Sequence, residues 1–359
     1  MNNYGSGLNG DGRNNSVGLA YGHEGVDETG LTTETGSAAD IRQNKGEEQL
    51  AERRVLFMGM PRSGKTSILS VIFENMLAYD TLGMLPTLQR TMYTMMVTGI
   101  AVYDFPGIDE YSETQYNSQS PEVYEGEYTS LVYVIDSQGD IQSSLTTLLS
   151  IVRMAQSVNF DLPINIFINK VDGLSDELKQ DIQQDIQQRV MKNMNYEGLN
   201  SAYVQFFLTT IYDETIREAL SRVVRRLVPK YNTLETILNS FCSKSSLDKV
   251  FLFDIGTKVY FATDSSPTDL TMYMFSCQTI NAMEDISVLC AEYVQAGDEE
   301  GIMQKTVVGM EGNTRIFIYQ VNSCLSLLCV GSSQSSRQDS LLEFNGSKIA
   351  KAIRQILPC

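Results

Sequence analysis

The alternation of apolar and polar positions changes character twice along the chain, near Arg53 and again near Thr233. Residues 1 to about 50 are rich in Gly, Asn, Ser and acids and hold few large apolar side chains. Burial there cannot offset the entropy of ordering the backbone, so residues 1–50 are expected to form a disordered acidic tail.

From Arg53 onward short apolar runs dominate. RVLFMGM predicts a strand that ends in glycine, and SILSVIFENML after it predicts a helix. TMYTMMV, IAVYDF, SLVYVID, PINIFINK and YVQFFLTT are strand-length runs rich in β-branched and aromatic residues. Helical patterns separate the later ones, near Ile141 to Ser157, Asp176 to Asn193 and Asp213 to Leu227. Strands alternating with helices predict an α/β domain over 51–232, with a mainly parallel sheet covered on both faces.

After Thr233 the rhythm changes. TLETILNSFCS predicts a helix, and KVFLFDI and KVYFATD predict two strands joined by a tight hairpin at Gly256-Thr257. A helical stretch near Leu270 to Gln295 comes next. Strands follow around Met303 to Met310, Thr314 to Gln320 and Leu325 to Val330, then a final helix from Ser340 to Leu357. Hairpins with few crossovers predict a separate antiparallel α+β domain over 233–359.

Composition narrows the chemistry. The chain has 27 basic and 44 acidic residues, a net charge of −17, which argues against nucleic acid as a partner. The best candidate for a local basic patch, RVVRRLVPK (Arg222 to Lys230), reads first as the solvated side of a helix. No apolar run approaches the roughly 18–20 residues of a membrane span, and the first residues lack the apolar core of a secretion signal, so no direct membrane insertion is expected. Six cysteines, all in the last third and without a CxxC pair, read as reduced thiols of a cytoplasmic protein. The single histidine is His23, within the first fifty residues. Ser-His and Cys-His dyads and imidazole metal sites are thereby excluded from the folded part. Any reaction must rest on Lys, Asp, Ser/Thr, backbone amides and a hard cation.

Gly59-Met60-Pro61-Arg62-Ser63-Gly64-Lys65-Thr66 fits the phosphate-binding pattern G-x-x-x-x-G-K-[ST] and lies between a predicted strand and a predicted helix. The glycines let the backbone wrap a phosphate, and Pro61, Arg62, Ser63, Gly64 and Ser67 line that wrap. Lys65 reaches the β- and γ-phosphates as the candidate catalytic group, and the Thr66 hydroxyl ligates Mg²⁺. Asp104-Phe105-Pro106-Gly107 ends the strand IAVYDF. Asp104 suits Mg²⁺ through a water, and Gly107 lets an N–H approach the γ-phosphate. Between them, Thr87 is the candidate to reach Mg²⁺ and the γ-phosphate, with Thr81 a second nucleotide contact. Asn169-Lys170-Val171-Asp172 ends the strand PINIFINK. The Asp172 carboxylate can accept two N–H bonds from guanine, and adenine offers no such donor pair. Asp172 thus disfavours an ATP-using enzyme. Thr210 and Ile211 end the next strand, where base-contacting backbone is expected.

These motifs, together with VIFENM, VYVIDSQ, INKVDGLSDELK and the run FLTTIYDETI…VVRRLVP…TLETILNSF into FLFDIGTKVYFATDSSP, resemble the Rag GTPases, specifically the RagC/RagD-type subunit. The resemblance implies a Ras-like G domain over 51–232 and a roadblock (longin-like) dimerisation domain over 233–359. It implies GTP/GDP with Mg²⁺, a RagA/RagB-type partner in a heterodimer, a Ragulator- or EGO-like scaffold, activating proteins, and amino-acid signalling to the TOR kinase complex. It also implies peripheral recruitment to the lysosomal or vacuolar membrane. Two positions depart from the family. Ile108 stands where glutamine commonly orients the attacking water, so hydrolysis is expected to be slow; Gln115 and Gln119 are offset in register. Asn169 stands where Rag proteins usually carry histidine. The competing reading is an interaction scaffold that binds nucleotide without hydrolysing it.

Overall fold

A computed structural model describes residues 52–108, 121–290, 305–309, 314–332 and 336–357. The expected disordered tail over 1–50, Gln115 and Gln119 lie outside the described residues. Among the described residues, six strands form a first sheet: β1 (Arg54–Gly59), β2 (Thr91–Met95), β3 (Ile100–Asp104), β4 (Thr129–Asp136), β5 (Ile164–Asn169) and β6 (Val204–Thr209). Their order is β2-β3-β1-β4-β5-β6, and every pair is parallel except β2 with β3.

The two-residue period of a strand explains how β1 builds two cores at once. Val55 and Phe57 pack on one face with α1 (Lys65–Phe73) and the helix Thr215–Val224; Leu56 and Met58 pack on the other with α2 (Ile141–Val158) and α3 (Asp176–Glu197). All six β1 residues are buried, as a central parallel strand requires. Asp140 caps α2 by accepting from the Ser143 amide at 3.2 Å, and Ser175 caps α3 by accepting from Leu178 N at 3.3 Å. The helix Thr215–Val224, here α4, has Arg222 in its last turn.

Register decides function here. Phe57 lies opposite Asp104, Gly59 opposite Val134, Asp136 opposite Asn169, and Asn169 opposite Thr209. The carboxyl ends of β1, β3, β5 and β6 therefore share one edge of the sheet, where ligands of open α/β sheets bind.

The second sheet, among the described residues, comprises β7 (Lys249–Asp254), β8 (Tyr260–Thr263), β9 (Lys305–Gly309), β10 (Thr314–Gln320) and β11 (Leu325–Ser332). It is antiparallel throughout, in the order β8-β7-β11-β10-β9. Helices α5 (Tyr231–Lys244) and α7 (Ser336–Ile356) cover one face, through Leu238, Phe241, Ala350 and Ile353. Helix α6 (Leu270–Cys290) covers the other, where Tyr273 packs among Phe251, Phe253 and Tyr260 with ring centroids 5.6–6.2 Å away. The predicted α-β-β-α-β-β-β-α succession is the one observed.

Three local readings are corrected. The helix after the phosphate loop stops at Phe73 instead of running to Leu77, because Asn75 turns left-handed at φ 51°. Helix α3 runs four residues beyond Asn193, until Gly198 at φ 70° closes it. The β7–β8 connection is wider than a Gly256-Thr257 hairpin. Asp254 N donates to Val259 O at 2.8 Å, so four residues span the turn. Lys258, at φ 58°, carries the left-handed step, and Asp254 Oδ2 holds the turn by accepting from Thr257 N at 3.0 Å and its hydroxyl at 2.6 Å.

The two sheets share a continuous apolar cluster running from α1 and α4 into α5 and β7. Tyr260 N on β8 donates to Ser221 Oγ on α4 at 3.0 Å. No helix among the described residues is long and apolar enough to cross a membrane.

Candidate nucleotide site

The phosphate loop leaves β1 at Gly59 (φ 146°) and enters α1 through Arg62 (φ 63°) and Gly64 (φ 101°). Left-handed steps in such a run turn successive amides inward, the geometry that cradles an anion. Gly59 and Gly64 have no room for a side chain. A Cβ on Gly59 would lie 2.5 Å from Val134 O, and one on Gly64 2.5 Å from Asn169 Nδ2.

Lys65 is 5% exposed, and its Nζ donates to Gly59 O at 3.1 Å and Met60 O at 3.0 Å. An ammonium has three donors, so one remains to meet a ligand in the loop. Burial lowers the Lys65 pKa to about 8, with Asp104 pulling the other way. Ser63 Oγ is buried without a partner, as expected of a group lining an anion cradle.

Three oxygen-bearing side chains converge beside the lysine. Thr66 Oγ1 donates to Asp104 Oδ2 at 2.6 Å, Thr87 Oγ1 lies 2.5 Å from Thr66 Oγ1, and Thr87 Oγ1 donates to Asp104 Oδ2 at 3.4 Å. Asp104 is fully buried and its Oδ1 is unpartnered. Burial raises the Asp104 pKa; the Thr66 hydroxyl bond opposes that rise. An orphaned buried carboxylate oxygen next to two hydroxyls is an all-oxygen donor set, the kind a hard divalent cation prefers. Among the described residues no group of three or more His, Cys, Asp or Glu is placed to hold a metal.

The segment after β3 is locked onto the loop. Phe105 N donates to Phe57 O and Ile108 N to Gly59 O, both at 3.1 Å. A Cβ on Gly107 would lie 2.6 Å from Pro61 Cα, so only glycine allows the two chains to touch. Ile108 does not face the loop mouth. It is 1% exposed and belongs to the apolar cluster containing Phe105, Val123 and Tyr124.

At the other end, Asn169 Nδ2 donates to Ser63 O at 3.1 Å, and Asn169 Oδ1 accepts from Thr209 Oγ1 at 3.3 Å. Lys170, in the left-handed region at φ 64°, places Nζ 2.8 Å from Arg62 O and 2.6 Å from Asp136 Oδ2. Asp172 is exposed, and its Oδ1 accepts from Thr210 Oγ1 at 2.9 Å. Ile211 packs half-buried against the core. Thr81 sits in a 3-10 turn, Ala78–Gly83, with its hydroxyl bonded to Ala78 O at 2.8 Å. Pro61 and Arg62 are exposed at the mouth, and Ser67 is half-buried in the first turn of α1.

Sequence reasoning missed Asp136, Ser137 and Gln138. Ser137 Oγ and Gln138 Nε2 both donate to Lys170 O, at 3.0 and 2.9 Å, and Asp136 pairs with the Lys170 ammonium. Their place at the end of a central strand, one strand from the Asn169 loop, was the available signal.

A phosphate loop, a buried acid on the next parallel strand and an NKxD loop along one sheet edge define a G-protein architecture. The model of the Gtr1/RagA G protein conserved region matches residues 54–287. The chain is 33% identical over 307 residues to human "Ras-related GTP-binding protein C", covering 84% of this chain and 76% of that one. It is 35% identical over 309 residues to fission-yeast "GTP-binding protein gtr2", covering 85% and 98% respectively. With Dictyostelium discoideum "Ras-related GTP-binding protein A" the identity falls to 28% over 214 residues, 57% of this chain and 68% of that one. The chain belongs to the Gtr1/RagA G protein family, on its RagC/RagD and Gtr2 side.

Proposed function

We propose that this protein is a guanine-nucleotide-binding switch, the RagC/RagD-type subunit of a heterodimer with a RagA/RagB-type partner, acting in amino-acid signalling to the TOR kinase complex. The observation that carries the reading is the convergence of Thr66, Thr87 and Asp104 beside Lys65, with Asn169 tying that end to the Asp172 loop.

In this reading the loop amides from Arg62 to Ser67 and the Lys65 ammonium hold the phosphates, with Pro61 lining the loop without an N–H to donate. Thr66 and Thr87 offer hydroxyl ligands to Mg²⁺, and Asp104 offers a carboxylate through water. Bound there, Mg²⁺ neutralises charge that develops on the phosphates. Gly107 presents its amide to the γ-phosphate. Asp172 accepts from guanine N1 and the 2-amino group, Lys170 covers the base, and Thr210 and Ile211 supply backbone beside it. Thr81 contacts the nucleotide if its turn rearranges on binding.

The reaction is in-line attack of water on the γ-phosphate: the new P–O bond forms as the bond to the β–γ bridging oxygen breaks, GDP leaves, and the water's proton passes to the released inorganic phosphate, with Lys65 and the amides stabilising the charge that develops. Hydrolysis by this chain alone is slow. Ile108 has no polar atom to orient the water, and its burial leaves the position filled by an alkyl side chain. An activating protein would have to supply or expose that group. Membership of a G-protein family does not favour a purely scaffolding role. The heterodimer docks on a Ragulator- or EGO-like scaffold at the lysosomal or vacuolar surface. The roadblock-like domain, 233–359, supplies the pairing surface.

Single-turnover hydrolysis of bound GTP, measured on the chain alone, with its partner subunit, and with an activating protein added, tests this. A slow basal rate that rises with the activating protein is expected. GTP retained unhydrolysed for hours under all three conditions would contradict it.

A further inference from the structure

The basic run Arg222 to Lys230 does more than solvate a helix. Arg222 on α4 and Arg225 and Arg226 just beyond it border a cleft of about 590 Å³ between the two sheets. Gln183 and Gln187 of α3 and the outer edge of β6 form one wall; the segment after β8, including Ser265, forms the other. The site is separate from the phosphate loop, none of whose residues line it.

Charge pairing within the walls leaves a positive remainder. Arg222 is neutralised by Glu218 at 2.5 Å. Asp264 faces the buried Lys249 ammonium at 3.4 Å and also accepts from Val250 N at 2.8 Å and Ser266 N at 3.0 Å, so its charge is consumed in holding the wall. Glu235 accepts from Tyr231 OH at 3.3 Å. Arg225 lies over the Tyr231 ring, 5.9 Å from its centroid, without a carboxylate partner, and Arg226 is exposed with no polar partner among the described residues. Two unpaired guanidinium groups thus face one glutamate, in a chain whose net charge is −17.

We propose that this cleft binds a small, multiply charged phosphate ester. Guanidinium forks match phosphate oxygens in pairs, where an ammonium would act only as a point charge. The hydroxyl and amide groups of Ser265, Gln183 and Gln187 supply neutral donors around them. The volume falls within the range of about 300–1,000 Å³ typical of small-molecule sites. A positive cleft in an acidic protein concentrates anions locally. Because the walls come from both sheets, the ligand ties the nucleotide-binding half to the second half and stabilises that arrangement.

The test uses the full chain with its partner subunit, loaded with GDP and Mg²⁺ so that the phosphate loop is occupied. Inositol hexakisphosphate is titrated by calorimetry into this complex, into Arg225→Gln/Arg226→Gln, and into Arg189→Gln on the exposed face of α3 as a charge control. GDP retention in each variant reports folding. Saturable binding with one site per chain, weakened about tenfold or more in the double variant only, is expected, along with a ligand-dependent rise in Tm. Absence of saturable binding, equal weakening in Arg189→Gln, or binding of a glutamate-rich peptide without binding of the phosphate probe would overturn the proposal.

Discussion

Asn169 Nδ2 donates to the Ser63 carbonyl at 3.1 Å, and this bond joins the end of β5 to the phosphate loop across 106 positions of sequence. The absent Cβ of Gly64 makes room for it, since a methyl there would meet the same amide at 2.5 Å. The bond therefore couples the NKxD segment proposed to recognise the base to the loop proposed to hold the phosphates.

Asn169→Ala removes that bond and leaves the Ser63 carbonyl and the Thr209 hydroxyl without their side-chain partner. Losing one partner of a buried pair costs about 1–3 kcal/mol. GDP and GTP affinities should fall together by roughly tenfold, read by calorimetry on protein with Mg²⁺ present. A change confined to GTP would mean the asparagine acts on the γ-phosphate instead.

Thr66→Val keeps the shape of the side chain and deletes the hydroxyl that Asp104 accepts. If that hydroxyl ligates the cation, the tightening of GTP binding by Mg²⁺ shrinks by roughly tenfold or more, as expected for a charge-assisted contact of about 1.5–3 kcal/mol. Binding measured with Mg²⁺ and with a chelator separates this from a general loss of fold. An undiminished Mg²⁺ effect would remove Thr66 from the cation site.

Much of this edge was legible in the chain. The phosphate loop is a local pattern whose strand-before, helix-after context follows from periodicity alone. Asp104 and Asn169 each close an apolar run, so their shared edge followed once the strands were read as parallel. The contacts between loops were not legible. The bonds from Ser137 and Gln138 to the Lys170 carbonyl depend on how two strand ends lie side by side, which no residue type announces. The burial of Ile108 was hidden for the same reason. A glutamine-versus-isoleucine comparison reads chemistry at that position but not the direction in which the side chain points. The β7–β8 turn is wider than the two-residue hairpin expected at Gly256-Thr257, because Asp254 caps it and Lys258 takes the left-handed conformation.

Ile108→Gln tests the burial directly. An amide placed among Phe105, Val123 and Tyr124 without a partner costs about 1–3 kcal/mol. The Tm of the variant should drop by several degrees, with no gain in the basal hydrolysis rate. An unchanged Tm with faster hydrolysis would mean position 108 faces the phosphates when GTP is bound.

Lys65 gives a pH signature. Burial disfavours its ammonium and lowers its pKa from the ordinary 10.5 to about 8, with Asp104 pulling the other way. Phosphate favours the charged form, so nucleotide binding near pH 8.5 should be accompanied by proton uptake, and affinity should fall as pH rises above about 8. The same lowered pKa means the folded state holds fewer protons than the unfolded state between about 8 and 10.5, so this group's contribution to stability rises with pH across that window. Calorimetry in two buffers of different ionisation enthalpy counts the protons; zero uptake at pH 8.5 would contradict the assignment.

Recognition of guanine by Asp172 is read out by comparing three nucleotides on the same protein. Nucleotide-free protein and its Asp172→Asn variant are titrated with GTP, XTP and ATP under identical Mg²⁺ and salt. The unaltered protein should bind GTP at least about a hundredfold more tightly than ATP or XTP, and the variant should invert the order of GTP and XTP. GTP affinity unchanged by Asp172→Asn, or ATP bound as tightly as GTP, would contradict it.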